Sequence, residues 1–115
     1  MEKENPHYRE GKLKEAANCY EKAISLDHQT ALVYYRKGKA LQDLKKHQEA
    51  LTCFNQAVKL DPKLSEAYSC KGVSLRALGK NEEAIACYDQ AISLNSNSAL
   101  YYYKKGNILR AMGNN

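Results

Sequence analysis

The chain has 115 residues, 43% of them hydrophobic and 27% charged, with a net charge of +5, two prolines and no tryptophan. This balance excludes disordered, collagen-like and fibrous classes and leaves an ordered domain of ordinary length. No apolar run reaches the roughly 18 residues of a spanning helix, and Met1-Glu2-Lys3-Glu4-Asn5-Pro6 has neither the basic start nor the apolar core of a secretory signal. A cytoplasmic address with reduced cysteines is expected, and no membrane partner.

Taken in order, Asn5 is placed to cap a short turn with Pro6 at its first position. A helix over about 13–27 then follows, with Leu13, Ala16, Ala17 and Tyr20 apolar. The next, about 31–44, gathers Tyr34, Gly38, Leu41 and Leu44 on one face, and breaks at Lys45-Lys46-His47. A helix over about 48–60 gathers Ala50, Leu51, Phe54, Ala57 and Val58, and Asp61-Pro62 stops it because proline cannot continue a helix. Further helices are expected over about 65–78, 82–94 and 99–112. Gly79-Lys80-Asn81 supplies a glycine for the left-handed turn between the first two of these. Asn95-Ser96-Asn97-Ser98 ends one helix and offers a cap for the last. No stretch alternates as a strand does.

These elements repeat at 34 residues. Gly38/Gly72/Gly106, Leu41/Leu75/Leu109 and Tyr34/Tyr68/Tyr102 keep that spacing, and so do Ala16/Ala50/Ala84, Tyr20/Phe54/Tyr88, Ala23/Ala57/Ala91 and Leu26/Leu60/Leu94. The expected division is a partial repeat over 1–30, full repeats over 31–64 and 65–98, and a partial repeat over 99–115. Small residues at Gly38, Gly72, Ala50, Ala84, Ala57 and Ala91 mark close helix crossings, while Tyr34, Phe54, Tyr68 and Tyr88 fill the wider gaps. Cys19, Cys53 and Cys87 also fall 34 residues apart. An intervening helix, with packed axes about 8–10 Å apart, keeps their sulfurs beyond bridging distance.

Charge is unevenly shared: residues 31–64 hold seven Lys/Arg against three Asp/Glu, and 99–115 hold three against none. That excess favours an acidic partner more than nucleic acid. The run Tyr101-Tyr102-Tyr103 looks like a stacking platform beside Lys104 and Lys105, but neighbouring helical residues point about 100° apart. Tyr102 is therefore expected between helices, and no nucleic acid partner. His7, His28 and His47 lie in separate turns or termini, so no metal site is expected. With no phosphate loop, nucleophile set or carboxylate pair in an apolar setting, neither catalysis nor a cofactor is expected.

In Tyr34, Gly38, Leu41, Ala50, Phe54, Ala57 and Pro62, repeated as Tyr68, Gly72, Leu75, Gly79, Ala84, Tyr88 and Ala91, the chain resembles the tetratricopeptide repeat family. The resemblance runs from about Gly11 to the end. It departs at Lys37, Lys71 and Lys105, where the family favours leucine, so packing there is expected to use lysine stems with their ammonium groups in water. His28 and Ser96 replace the terminal proline. The resemblance implies an all-α, right-handed superhelical array of antiparallel helix-turn-helix repeats, with the first helices lining a concave groove that grips a protein or peptide.

On that geometry the groove is lined by Leu32, Tyr35, Arg36, Lys39 and Gln42, then Glu66, Ser69, Cys70, Val73 and Arg76, then Leu100, Tyr103, Lys104, Asn107 and Arg110. The residues expected to hold a partner are Tyr35, Arg36, Lys39, Arg76, Tyr103, Lys104, Asn107 and Arg110, and the partner is expected to be an acidic or phosphorylated segment. The chaperone-binding branch of the family clamps a C-terminal carboxylate with lysine and asparagine. Here the matching places hold Tyr35, Lys39, Cys70, Leu100 and Lys104, and only Lys104 has the required character, so a chaperone adaptor is disfavoured. The remaining alternative is a structural or oligomerising array.

The ends carry an expectation of their own. Gly113 lies three periods after Gly11, which implies a window cut inside a repeat, with 13–27 and 99–112 each lacking a covering helix. Either the chain is a piece of a longer repeat protein, or copies stack head to tail through those two helices.

Overall fold

The computed structural model describes residues 6–26 and 29–113. Six helices follow one another: α1 (Pro6–Ser25), α2 (Ala31–Asp43), α3 (His47–Leu60), α4 (Ser65–Ala77), α5 (Asn81–Leu94) and α6 (Ala99–Gly113). Among the described residues there is no strand, and none of the helices is long and apolar enough to cross a membrane. Each helix packs on the next in sequence, and α2 also touches α4. The radius of gyration of 15.0 Å exceeds the roughly 13 Å of a compact chain of this length, as a layered array requires.

Local chemistry explains the boundaries. The Thr30 hydroxyl accepts from the Val33 amide at 3.2 Å and caps α2, and Ser98 does the same for Tyr101 at 3.3 Å at the start of α6. Asp61 accepts from the Lys63 amide at 3.1 Å, folding the chain after α3. Five helices begin and end close to the positions expected from the sequence. The exception is α1, which begins at Pro6 and runs unbroken through Gly11 for 20 residues. The short separate turn expected there is replaced by two further turns of the same helix. Lys14 pairs with Glu10 at 3.0 Å and Arg9 with Asp43 at 3.9 Å along it. The capping role of Asn5 and the turn at His28 lie outside the described residues.

The two tight turns differ in one informative way. Gly79 adopts φ 81°, as expected, and the matching Lys45 adopts φ 66°. A lysine in the left-handed region costs about 1–2 kcal/mol that glycine avoids. Part of that gain is offset because glycine also loosens the unfolded chain. Lys45→Gly is therefore expected to stabilise the protein by about 0.5–1 kcal/mol, read as an upward shift of the urea midpoint.

Between the helices, Ala50, Phe54, Ala57, Ala84 and Ala91 are completely buried and Tyr88 is 1% exposed. Tyr34 and Tyr68 are only half-buried. A Cβ on Gly38 would stand 2.6 Å from Phe54 Cε1, and one on Gly72 would stand 2.8 Å from Tyr88 Cε2. The glycine is the hole and the ring is the knob, and burying each ring contributes about 2–3 kcal/mol. Lys37 binds Glu21, and Lys105 binds Asp89 at 2.6 Å. These ammonium groups are thus ion-paired to the preceding helix rather than simply hydrated. Burial, the largest single influence, disfavours the charge on Lys37, but the Glu21 hydrogen bond together with the nearby Cys53, Glu21 and Tyr34 groups outweighs it, and its pKa is raised. The middle copy lacks the pair because Asn55 stands at the acidic position beside Lys71.

All four cysteines are free thiols, with Cys19 exposed and Cys53, Cys70 and Cys87 buried. Burial pushes those three thiols up and raises the Tyr88 phenol to about 12. Each is an acid with a folded pKa above its unfolded one. Its contribution is complete below the unfolded value, about 8.5 for a thiol, and is lost as pH rises, because the unfolded chain releases the proton first. The melting temperature is expected to fall from about pH 8.5 upward. A Cys53→Ala/Cys87→Ala variant should decline less steeply across the same buffers.

Candidate functional site

The expected groove residues fall into two groups. On α2, Tyr35, Arg36 and Lys39 come together with Leu13, Ala16 and Tyr20 of α1 around a cleft of about 220 Å³. Arg36 and Lys39 are exposed at its rim, and Tyr35 is half-buried. The Tyr35 ring lies 6.2 Å from that of Phe54, and its hydroxyl accepts a weak hydrogen bond from the Cys70 thiol at 4.0 Å. Burial, followed by the neighbouring Cys70, drives the Tyr35 phenol well above its ordinary range, so it stays neutral. Asp43 completes the lining and is paired with Arg9. The cleft thus sets two cations and one acid around an apolar floor.

The second group is on α6. Tyr103, Lys104, Asn107 and Arg110 follow an i, i+1, i+4, i+7 pattern that lays them along one side of the helix. Tyr103 and Arg110 are exposed, and Lys104 and Asn107 are half-buried. Arg76 is exposed in the last turn of α4, between the two groups in chain order. Across the array the described residues offer cations at 36, 39, 76, 104 and 110.

Three expected groove residues serve the core instead. The Gln42 amide nitrogen donates to the Cys70 carbonyl at 2.8 Å and to the Ser74 hydroxyl at 2.9 Å, tying α2 to α4 in a buried position. Ser69 and Cys70 are likewise buried. The tyrosine run is also resolved differently from expectation. Tyr101, 6% exposed, is the ring held between helices, sharing a hydrogen bond with Ser65 at 3.2 Å, while Tyr102 is 52% exposed. Tyr102 has the register of Tyr34 and Tyr68, which are half-buried, yet it is exposed.

Leu13, Ala16 and Tyr20 were legible as an apolar face but not as the floor of a cleft. The available signal was the alignment of Tyr20 with Phe54 and Tyr88, rings that pack against the first helix of their own hairpin. Among the described residues no group of His, Cys, Asp and Glu is arranged to hold a metal ion.

Comparison with known proteins places this geometry. A TPR repeat family model matches residues 5–45 and 72–113, and two tetratricopeptide repeat models match 31–64 and 53–86. No curated protein matches the chain. The first TPR of Spaghetti (RPAP3), bound to the HSP90 peptide SRMEEVD, superposes with a TM-score of 0.86 at 30% identity, over 93% of this chain and 85% of that one. The second TPR domain of human RPAP3, in complex with the HSP70 peptide SGPTIEEVD, gives 0.82 at 28% identity, over 88% and 84%. The Arabidopsis OM64 TPR domain gives 0.82 at 25% identity over the same shares. The repeats, the helix order and these matches agree: the chain belongs to the tetratricopeptide repeat family, with its all-α superhelical array of antiparallel helix pairs.

Proposed function

We propose that the chain is a non-catalytic protein-interaction scaffold that takes an acidic peptide segment along α2 and α6. The observation that carries this reading is the α1/α2 cleft, where Arg36 and Lys39 stand over Leu13, Ala16 and Tyr20. Arginine meets a carboxylate with a planar fork, lysine adds a point charge, and the apolar floor rewards a neighbouring hydrophobic side chain. Two similar structures support the peptide class, since the peptides in both, SRMEEVD and SGPTIEEVD, are acidic toward their C-termini. Tyr35 and the buried Cys70 offer no cation for a terminal carboxylate, so the scaffold is expected to read acidic side chains more than a free chain end.

The test is fluorescence anisotropy with labelled SRMEEVD, free and C-terminally amidated. Arg36→Glu/Lys104→Glu should abolish binding of both forms with the melting temperature unchanged, because both positions are peripheral to the core. Rising salt should weaken the wild-type complex. Unchanged affinity in a folded double variant would overturn the reading. A large loss on amidation alone would instead support a terminal clamp. A second reading, in which the chain builds an assembly through its end helices, is favoured by the open backbone at Gly106, where an added Cβ would meet nothing within 4 Å.

A further inference from the structure

We infer that a second copy of this chain covers α6 with its own α1, seating Tyr20 on Gly106 as Phe54 sits on Gly38 and Tyr88 on Gly72. The inference rests on the second reading above, that the end helices associate, and adds the occupant and the register.

Among the described residues both halves of one interface are present, each without its mate. In the two completed hairpins the first helix presents a glycine and, three residues on, a leucine. Leu41 and Leu75 are 8% and 5% exposed, and both glycines lie against rings. The same two positions on α6 are bare: Leu109 is 50% exposed and Gly106 is open. The complementary helix in each hairpin presents alanine, ring, alanine. Ala50, Phe54, Ala57, Ala84, Tyr88 and Ala91 are buried to 1% or less, whereas Ala16, Tyr20 and Ala23 of α1, in the same 34-residue register, are only half-buried. Cys19 follows suit. It is exposed, while Cys53 and Cys87 are buried and lie within electrostatic reach of Lys37 and Lys71 on the first helix of their own hairpin. One chain's α6 therefore lacks what another chain's α1 supplies, and the existing α2/α3 and α4/α5 packing defines how they meet.

The two extra turns of α1 do not obstruct this. They precede Leu13, the equivalent of the first residue of α3, so in an antiparallel pairing they run past the C-terminal end of α6. Because the two faces differ, the contact is heterologous and leaves a free α1 and a free α6 on every assembly. Growth is therefore open-ended, with each junction adding another hairpin to the array.

Sedimentation velocity of the 115-residue chain, from micromolar to millimolar concentration, tests this directly. The wild type is expected to sediment progressively faster as concentration rises, without a plateau at dimer. Gly106→Leu fills the seat at a position where an added Cβ meets nothing within 4 Å, so it should melt no lower than wild type and sediment as a monomer throughout. Tyr20→Arg removes the knob and should also be monomeric, with circular dichroism reporting its fold. Mixed one to one, the two variants should form a dimer and stop there, because one keeps only a working α6 and the other only a working α1. A wild type that stays monomeric would overturn the end-helix reading itself. Association that Gly106→Leu leaves unchanged, or a wild type that plateaus at dimer, would overturn the head-to-tail register while leaving association through other surfaces standing.

Discussion

Leucine at Gly72 is expected to cost about 3 kcal/mol, a large share of the roughly 5–15 kcal/mol that holds a domain of this size together. The cause is geometric. A single methyl at this position would lie 2.8 Å from Tyr88 Cε2 and 3.0 Å from Cζ, closer than carbon atoms approach, and leucine adds three more heavy atoms in the same direction. Tyr88 has nowhere to go, being 1% exposed and packed among Leu51, Leu75, Ala84, Cys87 and Ile108. Either α4 and α5 separate or the ring leaves its rotamer, and both forfeit contacts across the junction. Urea unfolding should show the loss as a lowered midpoint. Gly106→Leu provides the internal control: an added Cβ at the same repeat position meets nothing within 4 Å, and leucine there should gain somewhat less than about 1 kcal/mol from helix propensity. Equal effects at the two sites would show that the ring-on-glycine contact is not what spaces the helices.

How much of this was readable beforehand varies residue by residue. The helix pairs were legible because one hydrophobic pattern is written repeatedly, and the knob-in-hole pairs followed from aligning Gly38 with Gly72 and Phe54 with Tyr88. The beginning of α1 was not. Gly11 occupies the register of the turn residues Lys45 and Gly79, yet in the fold it lies inside a helix. A glycine permits a turn without requiring one, and nothing in the described structure precedes α1 to fold back upon it.

The groove was half legible. Arg36, Lys39 and Tyr35 do gather at a cleft, but Gln42, in the same repeat position as the exposed Arg76 and Arg110, is buried. The difference lies in its neighbour. Gln42 meets the hydroxyl of Ser74, while the residue matching Ser74 one repeat later is the apolar Ile108, which offers Arg76 no acceptor. A contact between repeats depends on two positions from different copies, and a pattern read within one copy does not display it. Tyr101 and Tyr102 diverged for a related reason. Ser65 gives Tyr101 a buried partner, whereas Tyr102 is left exposed.

The second large effect is expected from Ala84→Arg. Ala84 is fully buried, in the same cluster as Tyr88 and Ile108. An arginine there cannot shed its charge as a buried lysine can, since its guanidinium stays protonated at any pH the fold survives. The nearby cleft between α3, α4 and α5 carries Lys71 and Lys80 against a single acid, Glu83, so the surroundings already have an excess of positive charge. An unpaired buried ion costs several kcal/mol even after relaxation, comparable to the whole stability of the domain. Because each layer of a repeat array is stabilised mainly by its nearest neighbours, the damage should be local. Native-state hydrogen exchange is expected to show α4, α5 and α6 losing protection together, while α2 and α3, built on Gly38, Ala50 and Phe54, retain part of theirs. Ala50→Arg, at the same repeat position one hairpin earlier, should reverse the pattern. Complete and simultaneous loss of protection in both variants would mean that the two hairpins form one cooperative unit rather than coupled layers.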